Sequence, residues 1–194
     1  MAKKHDLQEV LKIGDRLFRR QGFYHTGTDE ILQEAAFPRS SFYYHFKSKE
    51  GFGIKTLEYY GKTNRTYLEQ VLQDELLGTP LERLRQFFMN MVEISNDQSY
   101  EVSCLIQRFS MEAGGEIGPL QEAARIQFAS WVEVSNPCIE AGQQMGEIRA
   151  DFSPSDISHF LFSQIYGMFS FARLNRDVEQ YRRQMDMAFQ MITV

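Results

Sequence analysis

The segment Phe37-Pro38-Arg39-Ser40-Ser41-Phe42-Tyr43-Tyr44-His45-Phe46-Lys47-Ser48-Lys49-Glu50 concentrates the side chains of this 194-residue chain that could act on a polyanion. Arg39, Ser40 and Ser41 come first. A guanidinium and two hydroxyls at the start of a short helix suit base edges in a DNA major groove, where Arg bonds bidentately to guanine and Ser to most edges. Tyr43, His45 and Lys49 follow, and Thr28 lies upstream. They offer hydroxyl, imidazole, ammonium and backbone N–H groups suited to phosphate oxygens. Tyr44 fits either role. Phe42 and Phe46 stand one turn apart and read as the buried side of the same helix. Each residue alone has a plainer reading, as a packed surface aromatic or a solvated lysine; their joint placement favours a nucleic-acid face.

Competing chemistry finds little to stand on. HExxH, GxSxG, GxGxxG and P-loop patterns are absent, and His5, His25, His45 and His159 do not pair with carboxylates at catalytic or metal spacing. The expectation is a protein that is not an enzyme, with no catalytic residue, no cofactor and no metal site. Cys104 and Cys138 lack CxxC spacing, which argues against a disulfide scaffold and for reduced thiols. The N-terminus is charged and has no apolar signal-peptide core, and the most apolar stretch, 159–172, is too short and too rich in Ser, Gln and Gly to span a bilayer. No membrane association and a cytoplasmic location are expected. The formal charge of −5 is segregated: residues 1–50 carry a net +2 and the remainder −7, a mildly basic head on an acidic body.

The elements that must position the DNA-reading groups are helical throughout. Leu7, Val10, Leu11, Ile13, Leu17 and Phe18 fall at helical spacing, and Gly22 is placed to end that first helix. Thr28 reads as the N-cap of a short helix ending near Ala35–Ala36; after a break at Phe37–Pro38 a second short helix covers 39–46. Two short helices behind a longer one make a helix-turn-helix. Ser48 is expected to cap a long helix reaching about Asp74, and Thr79-Pro80-Leu81-Glu82 is a capping box that starts another, reaching about Ser95. Later helices read as 102–113, 118–144 with a kink at Pro137, 154–174 and 177–192. The fold class is all-α: a three-helix helix-turn-helix domain over 1–48, and a larger helical effector-sensing and dimerisation domain over 49–194.

The segment 37–50, together with Phe18, Gly22, Phe23, Thr28, Ile31 and Ala35, resembles the recognition helix, turn and flanking helices of TetR-family regulators, densely over 7–56 and beyond that in helical layout. The resemblance implies a homodimer that holds a palindromic double-stranded DNA operator and releases it when a small molecule acts on the C-terminal domain, most commonly as a repressor. The rival reading is a constitutive DNA-binding protein without ligand control. Val102-Ser103-Cys104-Leu105-Ile106-Gln107-Arg108-Phe109, with Lys49-Glu50-Gly51-Phe52-Gly53, is similar to the NemR-like branch, which senses electrophiles through a cysteine in a Gly-Cys-Leu element. Cys104 falls on that cysteine, with Ser103 in place of the Gly.

Two readings of Cys104 stay open. Arg108, one helical turn on, favours the nucleophilic thiolate, whereas burial in an apolar helix makes an inert packing residue. Phe109, Phe128 and Trp131, with Phe87, Phe88, Met91 and Met111, supply surface either for a pocket taking a small apolar or electrophilic effector or for an ordinary core. The helix around Phe160, Ile165 and Phe169 carries more apolar residues than one small core needs. Paired with the helix of Met185 and Phe189, it is expected to form a four-helix dimer interface.

Overall fold

The computed structural model describes residues 6–99, 103–112 and 118–194. The chain forms α1 (Leu7–Gln21), α2 (Thr28–Glu34), α3 (Arg39–Phe46), α4 (Lys49–Gln73), α5 (Pro80–Asp97), α6 (Leu105–Met111), α7 (Pro119–Gln144), α8 (Pro154–Asn175) and α9 (Val178–Ile192), with a 3-10 turn at Glu75–Leu77. The fold is all-α, as the periodicity predicts; among the described residues the sole β pairing is an isolated bridge between Ile148 and Thr193.

Local chemistry explains most of the boundaries. The Asp6 carboxylate accepts from the Gln8 amide at 2.8 Å to open α1, and Gly22, at φ +91°, closes it by donating to the Phe18 carbonyl at 2.9 Å. The expected capping box forms at Thr79, whose amide donates to Glu82 Oε2 at 2.8 Å while its hydroxyl accepts from the Glu82 amide. Ser153 accepts from the Asp156 amide at the start of α8. Two starts differ from the sequence reading. Gly27, not Thr28, is the N-cap of α2: the first helical bond of α2 runs from the Ile31 amide to the Gly27 carbonyl, so Thr28 already lies inside the helix. Cys104 is the N-cap of α6 and not an interior residue, because its carbonyl accepts the first helical bond, from the Arg108 amide. The expected ends of that helix, Val102 and Ala113, lie outside the described residues.

The chain divides into two compact units. The first takes in the chain as far as Thr63 and the segment Ser103–Phe128; the second comprises Asn64–Val102 and Ala129–Val194. This division differs from one drawn at residue 48 by expected function.

The first unit is organised around Phe52, a fully buried side chain of α4. Its ring lies 5.0 Å from that of Phe42, 4.9 Å from Phe46 and 5.8 Å from Phe18. Gly14 of α1 makes room for it, since an added Cβ would stand 2.5 Å from the Phe52 ring. α6 contributes Phe109, edge-on to Phe18 at 5.5 Å and Phe23 at 5.8 Å. Edge-to-face pairs of this kind add to plain area burial.

In the second unit Phe88, Phe162 and Trp131 are fully buried, Phe162 packing 5.1 Å from Phe88 and 6.0 Å from Trp131. Arg182 of α9 grips Glu93 of α5 with two bonds of 2.7 and 2.6 Å. Between α8 and α9 runs an open groove of about 1050 Å³ whose walls include the exposed Phe171, Leu174, Met187 and Met191. The expectation for this face is corrected in detail: Ile165, Met185 and Phe189 are buried in the unit's own core, because the helical period turns them inward. Phe169 is half-buried, and Phe160, also half-buried, lines the groove.

Phe52→Ala removes the ring on which three others close, and is expected to destabilise the protein by about 3–5 kcal/mol. Tyr44→Ala, at an exposed position, should stay within about 0.5 kcal/mol of wild type. Thermal unfolding of the two variants checks the contrast; equal melting temperatures would remove Phe52 from its central place.

Candidate functional site

α3 is two-sided. Phe42 is 0% exposed and Phe46 is buried beside it, whereas Arg39, Ser40, Tyr43, Tyr44 (73% exposed) and His45 project outward and Ser41 is half-buried. The aromatic anchors therefore fix the rotation of the helix, and the rotation presents the remaining groups. Among the described residues no side chain caps the N-terminus of α3, where Pro38 stands in extended conformation. The Arg39 guanidinium is ion-paired with the Asp29 carboxylate of α2, which holds it at the edge of the exposed face. Both groups are largely solvent-exposed, so the pair orients Arg39 more than it stabilises the fold.

Lys47 closes α3 in a left-handed conformation, φ +66°; its ammonium donates to the Tyr44 carbonyl at 2.8 Å and lies 5.4 Å from the Tyr44 ring centroid. It adds a cation that the sequence reading did not assign to this face. Ser48 Oγ accepts from the Gly51 amide at 3.0 Å, at the start of α4. Lys49 is half-buried, with its ammonium 4.4 Å from the centroid of the Phe23 ring. Partial burial lowers its pKa from the ordinary lysine value, and the charge of Glu112 acts in the opposite direction. Thr28 is half-buried in the first turn of α2.

The sequence-predicted effector residues fall into different surroundings. Cys104, 3% exposed, belongs to the first unit with Arg108 and Phe109. Its thiol interacts with the phenol of Tyr60, another buried group, whose pKa is raised well above the ordinary value by burial first and then by the neighbouring Cys104. Arg19 stacks over the same ring at 5.4 Å and pairs with Asp15 at 3.7 Å. The cation in this cluster is thus Arg19. Arg108, expected beside the thiol, gives its guanidinium to Glu112 at 2.9 Å. Phe128 is half-buried in the first unit, and Trp131 lies in the second, against Phe162. Cys138 is also in the second unit; its thiol donates to the Pro80 carbonyl at 3.4 Å, and burial pushes its pKa up, away from reactivity.

Sequence reasoning did not find Asp15, Arg19 or Tyr60. One signal was present: Asp15 follows Gly14 inside the stripe Val10, Gly14, Leu17, Phe18 that α1 buries, an unusual place for a carboxylate.

Comparison with known proteins bears on both units. The profile described as bacterial regulatory proteins, tetR family, matches residues 10–52, and that of the tetracyclin repressor-like C-terminal domain matches 80–188. The HTH-type transcriptional repressor DhaR of Mycobacterium sp. (strain GP1) is 32% identical over all of this chain and 92% of its own length. Among solved structures, regulatory protein TetR from Rhodobacter sphaeroides superposes with a TM-score of 0.86 at 25% identity, over 96% of this chain and 98% of that one. The reduced form of Escherichia coli NemR does so with 0.85 at 22% identity, over 96% of each chain.

Asp15 makes the first unit sensitive to pH. Burial outweighs the opposing Arg19 and pushes its pKa from 3.8 to about 6, and its Oδ1 has no hydrogen-bond partner among the described residues. Between these values the folded protein keeps a proton that the unfolded chain has released. The contribution of this group to stability is therefore fully present below pH 3.8 and is lost as pH rises through about 6, by roughly 3 kcal/mol in all. Asp15→Asn should gain on wild type by roughly 1–1.5 kcal/mol between pH 5 and pH 8. Urea unfolding at the two values checks this, and parallel pH profiles for both proteins would refute it.

Proposed function

Because the chain belongs to the TetR family of bacterial regulatory proteins, we propose that it is a sequence-specific DNA-binding transcription regulator, a repressor that a small apolar or electrophilic effector releases from its operator. The observation that carries this reading is the two-sided α3: Phe42 and Phe46 locked inward, Arg39, Ser40, Tyr43, Tyr44 and His45 turned out. A helix held by its aromatic face presents its first turn to the major groove, where Arg39 is the guanine reader and Ser40 and Ser41 accompany it. Thr28, Tyr43, His45 and Lys49 hold phosphates, which sets register without reading sequence. Tyr44 serves either purpose.

The operator is a palindrome and the regulator a homodimer, its protomers joined across the groove between α8 and α9. Phe171, Leu174 (83% exposed), Met187 and Met191 are an apolar surface of the kind that a partner covers. Two-fold symmetry then fixes the separation of the two α3 helices to match the half-sites.

Release is triggered at Cys104 or by a ligand packed beside it. In the covalent form the thiol sulfur adds to an electron-poor carbon of a quinone, and the thiol proton passes to the quinone oxygen. Burial opposes access, so the adduct requires the segment carrying Cys104 to shift, and that shift is the differential interaction any effector needs.

Selection of duplexes from a randomised pool tests the DNA reading. The wild type should enrich a palindrome. Arg39→Ala should lose preference at one position per half-site, where a bidentate contact discriminates by about 1–3 kcal/mol. Lys49→Ala should bind all sequences more weakly, with a salt slope lower by about 1. No enrichment by the wild type ends the proposal, and an Arg39→Ala profile identical to that of wild type removes Arg39 from the reading set.

For the trigger, Cys104→Ser and Cys138→Ser are compared in release of the selected duplex by a quinone. Cys138→Ser should release like wild type and Cys104→Ser should hold on; equal release by both moves the trigger away from the Cys104 thiol.

A further inference from the structure

We propose that Glu112 is a positioning residue of the DNA-binding head: its carboxylate fixes the turn 22–27 between α1 and α2 and, through Phe23, the ammonium of Lys49. The inference rests on the reading of Lys49 as a phosphate-binding group. All the groups it uses belong to the first unit.

Glu112 comes just after the last residue of α6, and its side chain is 19% exposed. Oε2 accepts from the Phe23 amide at 2.7 Å and from the Tyr24 amide at 3.4 Å, while Oε1 is 2.9 Å from Arg108 Nε. Bonds from amides to an ionised acceptor are roughly twice as strong as neutral ones. The carboxylate also closes directly on Gly22. There φ is +91°, and an added Cβ would overlap Glu112 Oε1, so the position excludes a side chain on two independent grounds. From the inner side the same turn is held by buried Thr26, whose hydroxyl donates to the Gly22 carbonyl at 2.6 Å. The turn that leads into α2 is thus gripped from both sides.

Phe23 connects this grip to the DNA face. Its amide is bonded to Glu112, its ring packs on Phe18 and Phe109, and the Lys49 ammonium rests over that ring at 4.4 Å. The other end of the segment is fastened as well: Arg19 Nε donates to the Ser103 carbonyl at 2.8 Å and Ser103 Oγ to the Arg19 carbonyl at 3.1 Å. Residues 103–112 are therefore bolted at one end to α1 and at the other to the turn that follows it, with Cys104 next to the first bolt and Glu112 forming the second.

Simple electrostatics counts against a carboxylate here. It sits near the C-terminal end of α1, where the helix dipole is negative, and beside a lysine expected to meet phosphate. Its ion pair with Arg108 and its amide bonds to the turn offset this; the amide bonds are the part that holds the geometry of the turn, and a displaced segment 103–112 releases that geometry.

The test uses the full-length protein and the duplex that the wild type selects from the randomised pool, at a temperature where circular dichroism shows the variants folded. Glu112→Ala is expected to speed hydrogen exchange at the Phe23 and Tyr24 amides and to weaken duplex binding roughly tenfold at ~0.1 M salt. It should also make the salt slope shallower by about 0.9 for each phosphate that Lys49 no longer neutralises. Glu112→Gln keeps a neutral oxygen for the Phe23 amide and should fall between Ala and wild type in both exchange and slope.

If Glu112 were only a repulsive charge, its removal would tighten binding, and that sign overturns the proposal. So does faster amide exchange with an unchanged slope in either variant. Where the Ala variant does not fold, the Gln variant decides by the same criterion. If the wild type selects no duplex, the functional reading fails; if selection is normal and neither readout moves, the functional reading stands and the role of Glu112 alone is refuted.

Discussion

Helices of seven and eight residues do not persist in water by themselves, because nucleation consumes more conformational entropy than so few hydrogen bonds return. α3 persists because Phe42 and Phe46 close, together with Phe18 of α1, on the ring of Phe52, and because Gly14 lets that ring approach α1, while α2 is held by its buried Ile31 and Leu32. Everything the outward face does depends on that packing. The orientation of Arg39 and Tyr43 follows from which side of α3 is anchored, and α3 has only two anchors. Phe109 extends the same aromatic knot to α6, so α3 and the segment carrying Cys104 share one hydrophobic core.

Beside that core lies a second, polar line of interaction. Asp15, Arg19, Tyr60 and Cys104 are largely enclosed and act on one another electrostatically. In a low-dielectric setting such interactions are stronger than in water, and any unpaired member is expensive, so a change at the thiol is felt by its neighbours. Arg19 takes part in both lines: its guanidinium stacks on Tyr60 and bonds to Ser103, within a helix whose apolar face carries Phe18. A disturbance at Cys104 reaches α1 without leaving the unit.

What the sequence made legible was local. The helix 39–46, the capping box at Thr79 and the starts at Ser48 and Ser153 depend on groups within three or four residues, and all appear in the fold. The placing of Thr28 as a cap failed by one residue, since Gly27 is itself an acceptable N-cap and the hydroxyl of Thr28 distracts from it. Ile165 was legible as apolar but not as inward, because α8 is apolar on most sides and carries little periodic signal of which side is covered; Met185 and Phe189 lie on the periodic apolar stripe of α9, which does not say whether its own unit or a partner covers it. Glu112 and Tyr60 were not legible: their partners lie tens of residues away, and pairing over such distances is written in the packing of α6 on α1.

The head is discontinuous in sequence, with residues 64–102 of the other unit interposed before the segment that completes it. During synthesis the first sixty-odd residues leave the ribosome with the place of Phe109 vacant and the turn after α1 ungripped. At about 5–20 residues per second that state lasts for several seconds on each nascent chain. A chain terminated in that interval keeps the contacts of Phe42, Phe46 and Phe18 with Phe52 but lacks Phe109 and Glu112, so its aromatic core is left open on the side that α6 covers and the turn after α1 keeps the grip of Thr26 without that of Glu112.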